Sequence, residues 1–371
     1  MSFLKSIFGM KSEESKAEVT VQKHSNHDVE TPQKSISSNI QNLVLLSVAE
    51  QFKVGEKKYP DYLRYQFGIG FPNEKLDKLE KESYIRSTTA AETLPRLKIA
   101  ELKTIASQFD LKVSGKKADL CDRIAENVPE ADLDRIITER YWTVTEKGKT
   151  FLAENPYISF YLERHAYSLE DIGLDINTYA KLFSGHPGGN IRDIIWGELN
   201  RRSLDGYSKG IRKGEFSDYC KLLHTMALFL EEENRHIDAL NMYMRYIYYR
   251  ANFEAGISAL KCYSYLKKVD SAADELYMDA EIYPFIADEI IRMSDACEFD
   301  SRQLQAYMKE TFSKETDTGA FSPDELTRFV MCGLNGNQDG QKKICKSVLN
   351  MLKCISLIEK SKKSLWVYLR I

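Results

Sequence analysis

A short run of basic residues in this sequence could bind phosphate. Residues 94–128 contain seven Lys or Arg against five Asp or Glu. Within them, Ser114-Gly115-Lys116-Lys117 combines two cations with a glycine that lets the backbone approach a ligand closely. The first amides of a helix can also hold an anion. Taken alone, however, the charges favour a solvated basic face, because acidic residues are interspersed among them.

Two short amphipathic helices are predicted to carry these residues. In the first, apolar residues recur at three- and four-residue spacing and define a stripe of Leu97, Ala100, Leu102, Ile105 and Ala106. Phe109 and Leu111 end this helix. Ser114 is predicted to cap the second helix, whose buried face would hold Leu120, Cys121 and Ile124. A Walker phosphate loop is excluded, since the upstream glycine and the following Ser or Thr are missing.

The stretch resembles the SAP domain, a helix-extended-helix module that binds DNA. The resemblance rests on LPRLKIAELK at residues 94–103 and on LKVSGKKADL at residues 111–120. It implies contacts to the DNA backbone with weak sequence preference. The residues expected to make them are Arg96, Lys98, Lys103, Lys112, Ser114, Gly115, Lys116 and Lys117.

The composition of the whole chain limits the other possibilities. A net charge of −3 over 371 residues means that any DNA contact must come from a local patch. The seven cysteines are scattered without a C-x-x-C motif, which indicates reduced thiols in a cytoplasmic protein. No apolar run is long enough to span a membrane. No metal site, cofactor or catalytic residue set is evident, so we expect a protein that is not an enzyme.

Around the SAP-like stretch, the sequence predicts a split domain. Three short helices and a β-prone run at residues 84–89 follow the order of a winged helix, but its second wing strand is missing there. Residues 141–152, YWTVTEKGKTFL, look like the close of the wing in many bacterial winged-helix proteins. The hairpin of residues 94–128 is therefore predicted to be inserted in a winged-helix-like domain made of residues 39–93 and 129–155.

The third helix of this domain is a poor candidate for reading a DNA groove. It is expected at residues 73–83, where three lysines face four acidic residues. A winged helix usually places this helix in the major groove, where cations are needed. The winged-helix-like domain could therefore equally be a structural support, a dimerisation unit or a second DNA contact.

The flanking regions carry weaker signals. Residues 1–38 are predicted to be a disordered tail, with an amphipathic stub at residues 1–11. Residues 156–216 form a linking helical region with a glycine-rich loop at residues 184–190. The glycines of this loop suggest a phosphate-binding site, and His186 suggests a catalytic role. A turn before a helix whose N-cap is Asn190 is the better explanation of both features. Trp196 is expected in the core.

Residues 217–371 are predicted to be an array of helical hairpins. A 34-residue repeat can be laid so that Ala239 takes a small-residue position and Tyr243 an aromatic one, which resembles a tetratricopeptide hairpin. Ala255 is expected to begin a second, degenerate copy. The tyrosines of residues 243–249 are better explained by hairpin packing than by base stacking. Such an array binds a protein or peptide, and residues 156–371 are expected to fold alone without affinity for DNA.

The sequence thus predicts a mainly α protein: a winged-helix-like domain with an inserted SAP hairpin, followed by an α-helical hairpin array. This arrangement resembles uncharacterised SAP-domain proteins of bacterial prophages. The favoured function is a DNA-binding adaptor whose array recruits a protein. The alternative is a transcriptional regulator that senses a peptide on its helical repeat.

Overall fold

A computed structural model describes residues 36–164, 172–317 and 319–359, with side chains as far as residue 351. The amphipathic stub and all but the end of the predicted tail lie outside the described residues. The first helix begins at Ser38, after Ser37, whose hydroxyl accepts the Ile40 amide at 3.3 Å. Helix α1 therefore starts one residue before the predicted boundary at residue 39. The described chain is mainly helical, as predicted.

The N-terminal part follows the predicted order of three helices and a strand. Its elements are α1 (Ser38–Val48), α2 (Asp61–Tyr65), α3 (Pro72–Lys81) and β1 (Ile85–Ser87). Four further helices, α4 (Ala90–Thr93), α5 (Ile99–Gln108), α6 (Lys117–Asn127) and α7 (Glu130–Ile136), precede β2 (Trp142–Val144). After β2 come α8 (Glu146–Ala153), α9 (Tyr157–Glu163), α10 (Ile176–Ser184) and α11 (Ile191–Lys213).

Helix α1 lies at the centre of the first hydrophobic core. Four consecutive residues, Leu43 to Leu46, are each 0% exposed. A helix that is apolar all round is enclosed on every side, and α1 accordingly packs against α3, α8 and α9.

The two β-prone runs form a two-stranded antiparallel sheet. Ile85 pairs with Val144 and Ser87 with Trp142, so the chain between the strands leaves and returns at one edge. An isolated antiparallel bridge joins Lys53 to Tyr141 and adds a third backbone segment beside β2. This pairing across α4–α7 is the arrangement that the split-domain hypothesis requires.

The motif after β2 contains a glycine at position 148 because the fold leaves no room for a side chain there. A Cβ at this position would lie 2.2 Å from the Tyr84 carbonyl oxygen and 2.7 Å from a methyl group of Val144. Thr145 caps α8 by accepting the Gly148 amide at 3.2 Å. The absent side chain therefore lets the first turn of α8 lie directly against the backbone just before β1.

The C-terminal part is a succession of helices. These are α12 (Ser217–Glu232), α13 (His236–Tyr249), α14 (Gly256–Leu266), α15 (Val269–Ala280), α16 (Pro284–Ala296), α17 (Ser301–Lys314), α18 (Pro323–Leu334) and α19 (Gln338–Glu359). Helices α12 and α13 form the predicted hairpin, with Leu223, Ala227, Ala239 and Tyr243 all fully buried. The small side chain of Ala239 allows the two helices to pack closely.

The second copy of this hairpin, expected to start at Ala255, stays a prediction, and α14 and α15 pack against each other there. A π-helical segment, Arg250–Ala255, joins α13 to α14 without a turn, so residues 236–266 form one helical run. The wider π turn is held from outside, since the Asn252 side chain accepts the Phe321 amide at 2.7 Å. Gly319 fits against Asn252 where a Cβ would lie 2.1 Å from the Asn252 Cβ.

The tyrosines of α13 pack inside the array, as predicted. Tyr243, Tyr248 and Tyr249 are buried, and Tyr246 is half-buried. The Tyr249 hydroxyl donates to Glu315 at 2.8 Å, and burial together with this carboxylate raises the pKa of Tyr249 far above its usual range. Their rings therefore offer no free faces on which bases could stack.

Helix α12 belongs to two cores, which contradicts the expected boundary at residue 216. Leu222, Met226 and Phe229 pack with α1, α9 and α11 in the first core. The opposite face, including Leu223, packs in the core of the array. Trp196 lies half-buried at this joint and stacks on Phe229 with ring centroids 5.5 Å apart. Part of the core around residues 156–371 therefore comes from α1, and their independent folding stays a prediction.

Candidate nucleic-acid interface

The basic cluster lies on the chain segment between the two strands, residues 89–140, which we call the hairpin insert. The insert has its own hydrophobic core, made largely by α5 and α6. Leu102, Ile105, Leu120 and Ile124 are buried there, as the sequence predicts. Ala100 is exposed instead, because it lies two residues from Leu102 and hence on the opposite face of α5.

The insert is longer than the predicted residues 94–128. Ala90 in α4, Leu133 in α7 and Ile137 just after α7 pack in the same core. The sequence assigns these flanks to the winged-helix-like domain because helices of four and seven residues are too short to show periodicity. Their burial places them with the hairpin.

Both helices of the hairpin begin after an exposed lysine. The Lys98 amide, before α5, donates to Glu101 Oε2 at 2.6 Å. The Lys116 amide, before α6, donates to Asp119 Oδ2 at 3.0 Å. In each case an acidic side chain satisfies a backbone donor at the start of the helix. Both ammonium groups are left to point into solvent, where they can meet a phosphate.

The predicted cap at Ser114 is wrong, since α6 is capped two residues later. Gly115 connects the two positions with a φ of 126°, a conformation that favours glycine. A Cβ on Gly115 would also lie 3.2 Å from Asp119 Oδ2. Because the Lys116 amide donates to Asp119, this amide is not available to an anion.

Two basic side chains brace the hairpin. Arg123 donates to the carbonyl oxygens of Lys112 and Ser114, the second at 3.2 Å. Lys117 Nζ donates to the Pro95 carbonyl oxygen at 2.7 Å. The hydrogen bond from Lys117 to Pro95 holds the residues before α5 beside the start of α6. Lys117 therefore has a structural role in addition to the DNA contact predicted for it.

The structure groups most of the predicted residues. Those at the adjoining helix starts are Arg96, Lys98, Ser114, Gly115, Lys116 and Lys117. Lys112 is exposed farther back along the connector, opposite Arg123. Lys103 is exposed in the middle of α5. The hairpin thus presents a basic edge with two outlying cations.

Comparison with protein families agrees with this arrangement. Residues 93–128 match the SAP domain. The matched residues, called the SAP hairpin below, include all of α5 and α6, and the match suggests nucleic-acid binding. No similar curated protein and no similar solved structure was found.

Contacts at both ends fix the insert to the sheet. The Arg86 guanidinium donates to both oxygens of Glu92, at 2.7 and 2.6 Å, and lowers the pKa of this carboxyl to about 2. Near the other end, the Arg140 carbonyl oxygen accepts the Val54 amide at 2.9 Å. The insert is therefore attached at one end by an exposed ion pair and at the other by a backbone hydrogen bond.

The structure places Lys53 and Tyr141 beside Arg96 at this junction, and neither of the two is among the predicted site residues. The Arg96 guanidinium lies 5.0 Å from the ring centroid of Tyr141, and Lys53 Nζ lies 6.0 Å from the same centroid. Lys53 comes from the segment between α1 and α2. Only the fold brings it beside the insert, and no local pattern signals the contact.

The remaining candidates give no second site among the described residues. Asn190 accepts the Arg192 amide at 2.9 Å, which supports the turn interpretation of the glycine-rich loop. The exposed His186 has its Nδ1 2.8 Å from the Leu182 carbonyl oxygen. No group of three metal-ligand side chains occurs within the described chain, and none of its helices is long and apolar enough to cross a membrane.

Proposed function

We propose that the protein is a DNA-binding adaptor without enzymatic activity. The observation that carries this proposal is the pair of exposed lysines, Lys98 and Lys116, at the adjoining helix starts of the SAP hairpin. Cations on short helix starts contact phosphates and read little sequence. We therefore assign the hairpin to the DNA backbone, with binding of similar strength on most sequences.

The second half of the proposal is a protein partner on the helical array. Large apolar side chains are exposed on α14 to α16, including Tyr265 at 86%, Met278 at 56% and Phe285 at 54%. Exposed apolar side chains of this size favour protein contacts. A cytoplasmic location and a prophage origin complete the proposal. The first is supported by the free thiols of the six cysteines described, the second only by the domain arrangement.

Direct titration tests the DNA contact. Full-length protein is titrated into a fluorescent DNA duplex over a series of salt concentrations. Replacing Lys98, Lys112 and Lys116 by Gln should raise the dissociation constant at least about tenfold. It should also make the dependence of log K on log salt less steep, with a slope smaller in magnitude by about 0.9 for each phosphate that is no longer neutralised.

A matched triple variant controls for net charge. Lys181, Lys261 and Lys343 are exposed and lie outside the insert. Their replacement by Gln should leave most of the affinity intact. An equal loss in both triples would show that the DNA responds to overall charge, and it would refute the SAP hairpin as the site.

The alternative, a peptide-sensing transcriptional regulator, is favoured by the two-sided packing of α12. Such a helix could transmit an event on the array to the first core. A partner retained by the full chain in a pull-down distinguishes the two functions. An adaptor acts by tethering and keeps its DNA affinity when the partner binds. A regulator requires a coupling of about 1–3 kcal/mol, or roughly 5- to 150-fold.

A further inference from the structure

A groove beside the SAP hairpin brings cations from distant parts of the chain together. Arg96, at the entrance of α5, and Lys53, from the segment after α1, both approach the ring of Tyr141, at 5.0 and 6.0 Å from its centroid. Arg96 makes no ion pair within the described residues. An anion near this ring would therefore be attracted to Arg96, whereas Lys53 already pairs with Glu139.

The groove next to this ring has a polar lining. Residues 53–57, Ser87 and residues 138–140 enclose a space of about 450 Å³, which we call the junction groove. Its charged side chains are the cations Lys53, Lys57 and Arg140 and the carboxylates Glu56 and Glu139, and Ser87 and Thr138 provide hydroxyl groups. Val54, 40% exposed, is the main apolar side chain here. A groove with this lining suits a phosphodiester backbone better than the apolar anchors of a peptide.

We propose that the junction groove binds the DNA backbone where it leaves the SAP hairpin, with Lys53 as the contacting cation. The inference rests on the proposed function, because Lys53, which lines the groove, and Arg96, on the basic edge of the hairpin, both approach the ring of Tyr141. The hydrogen bonds between Arg86 and Glu92 attach the insert to the sheet, so the junction groove and the basic edge of the hairpin lie next to each other. One DNA molecule can then contact both.

Glu139 limits the strength of this contact. Its carboxylate lies 2.7 Å from Lys53 Nζ and so occupies the position that a phosphate would take. Both side chains are largely exposed, at 41% and 57%, so their ion pair is weak and can be exchanged for a phosphate. Removing the carboxylate should therefore strengthen DNA binding, whereas removing Lys53 should weaken it.

Two variants of the full chain, each with a matched control, test the proposal in the duplex titration. Lys53→Gln should weaken binding about threefold or more and lower the salt slope by about 0.9. Its control is Lys343→Gln on α19. Glu139→Gln should tighten binding about twofold or more. Its control is Glu215→Gln in the exposed turn before α12. If either variant behaves as its control does, the junction groove is not part of the DNA path.

The triple variant of Lys98, Lys112 and Lys116 separates this inference from the proposed function. If the triple variant loses binding while Lys53→Gln binds like wild type, the function stands and the groove assignment falls. If Lys53→Gln weakens binding and the triple variant does not, the SAP hairpin is refuted as the site, and the groove as its continuation is refuted with it. Wild-type protein that binds no duplex overturns both.

Discussion

Thr88 and Tyr141 are joined by two hydrogen bonds although they are 53 positions apart in sequence. The Thr88 amide donates to the Tyr141 carbonyl oxygen at 2.8 Å, and the Tyr141 amide donates to the Thr88 hydroxyl at 3.0 Å. They continue the ladder between β1 and β2 by one position. The hairpin insert therefore begins and ends at a single point, as a long loop of a β-hairpin does.

The first prediction is that the insert can be removed. Replacing residues 89–140 by Asn-Gly would join Thr88 to Tyr141 through a two-residue turn that suits antiparallel strands. The core of the insert is separate from that of α1, so the shortened protein should keep one cooperative thermal transition by circular dichroism. It should no longer bind the DNA duplex. Loss of cooperative unfolding would show that the insert is integral to the first core.

The second prediction concerns Gly115. Its φ of 126° makes alanine unfavourable, and Asp119 Oδ2 would lie only 3.2 Å from the added methyl group. We expect Gly115→Ala to destabilise the insert by about 1–3 kcal/mol, measured as faster amide hydrogen exchange in α5 and α6. Gly70→Ala is the control, since nothing lies within 4 Å of its Cβ position. Equal exchange in the two variants would contradict the strained connector.

The SAP hairpin was accessible to sequence reasoning because its signals are local. Leu102 and Ile105 show the period of one helix, and the residues around Gly115 follow a motif. Contacts that depend on the fold were not accessible: Lys53 approaches Tyr141 only after the sheet has formed. The π turn at Asn252 was missed for a similar reason, because Phe321, which stabilises it, is 69 positions away. Local propensity contains no information on such partners.

The third prediction uses Glu232, near the C-terminal end of α12. Burial raises the pKa of its carboxyl from 4.5 to about 7, although Arg164 Nε lies 3.7 Å away. Arg164 also pairs with Glu233 at 3.3 Å, so its charge is shared. Because the folded-state pKa is the higher one, the folded protein binds the proton more tightly. Stability from this group is full below about pH 4.5 and is lost as pH rises through 7.

Glu232→Gln should therefore leave the free energy of unfolding unchanged near pH 4.5 and raise it by on the order of 1 kcal/mol at pH 8. Urea unfolding of the full chain at the two pH values measures the difference. The control, Glu215→Gln, changes an exposed carboxyl and should have little effect at either pH. A stabilisation that is larger at pH 4.5 than at pH 8 would contradict the sign of the pKa shift.

The last prediction tests whether α12 makes one cooperative body of the first core and the array. Leu43 lies only in the first core and Leu223 only in that of the array, and both are 0% exposed. Leu43→Ala and Leu223→Ala should each cost about 2–5 kcal/mol. If the cores share α12 as a joint, both variants shift the same single calorimetric transition. Two transitions, each sensitive to one variant, would mean that the halves unfold independently.

A third variant provides the contrast. Leu102 is 0% exposed in the core of the insert, which shares no residue with the other two. Leu102→Ala should therefore open the insert locally, with fast amide exchange in α5 and α6 and slow exchange in α1 and α13. If the first core and the array unfold together, a partner bound to the array can affect the first core through α12. An insert that unfolds separately is connected to that core only where β1 and β2 meet. Coupling between partner and DNA is expected only of the regulator, where it would depend on the Arg86–Glu92 pair and Glu92→Gln should reduce it; in the adaptor, Glu92→Gln should leave the DNA affinity the same with and without the partner.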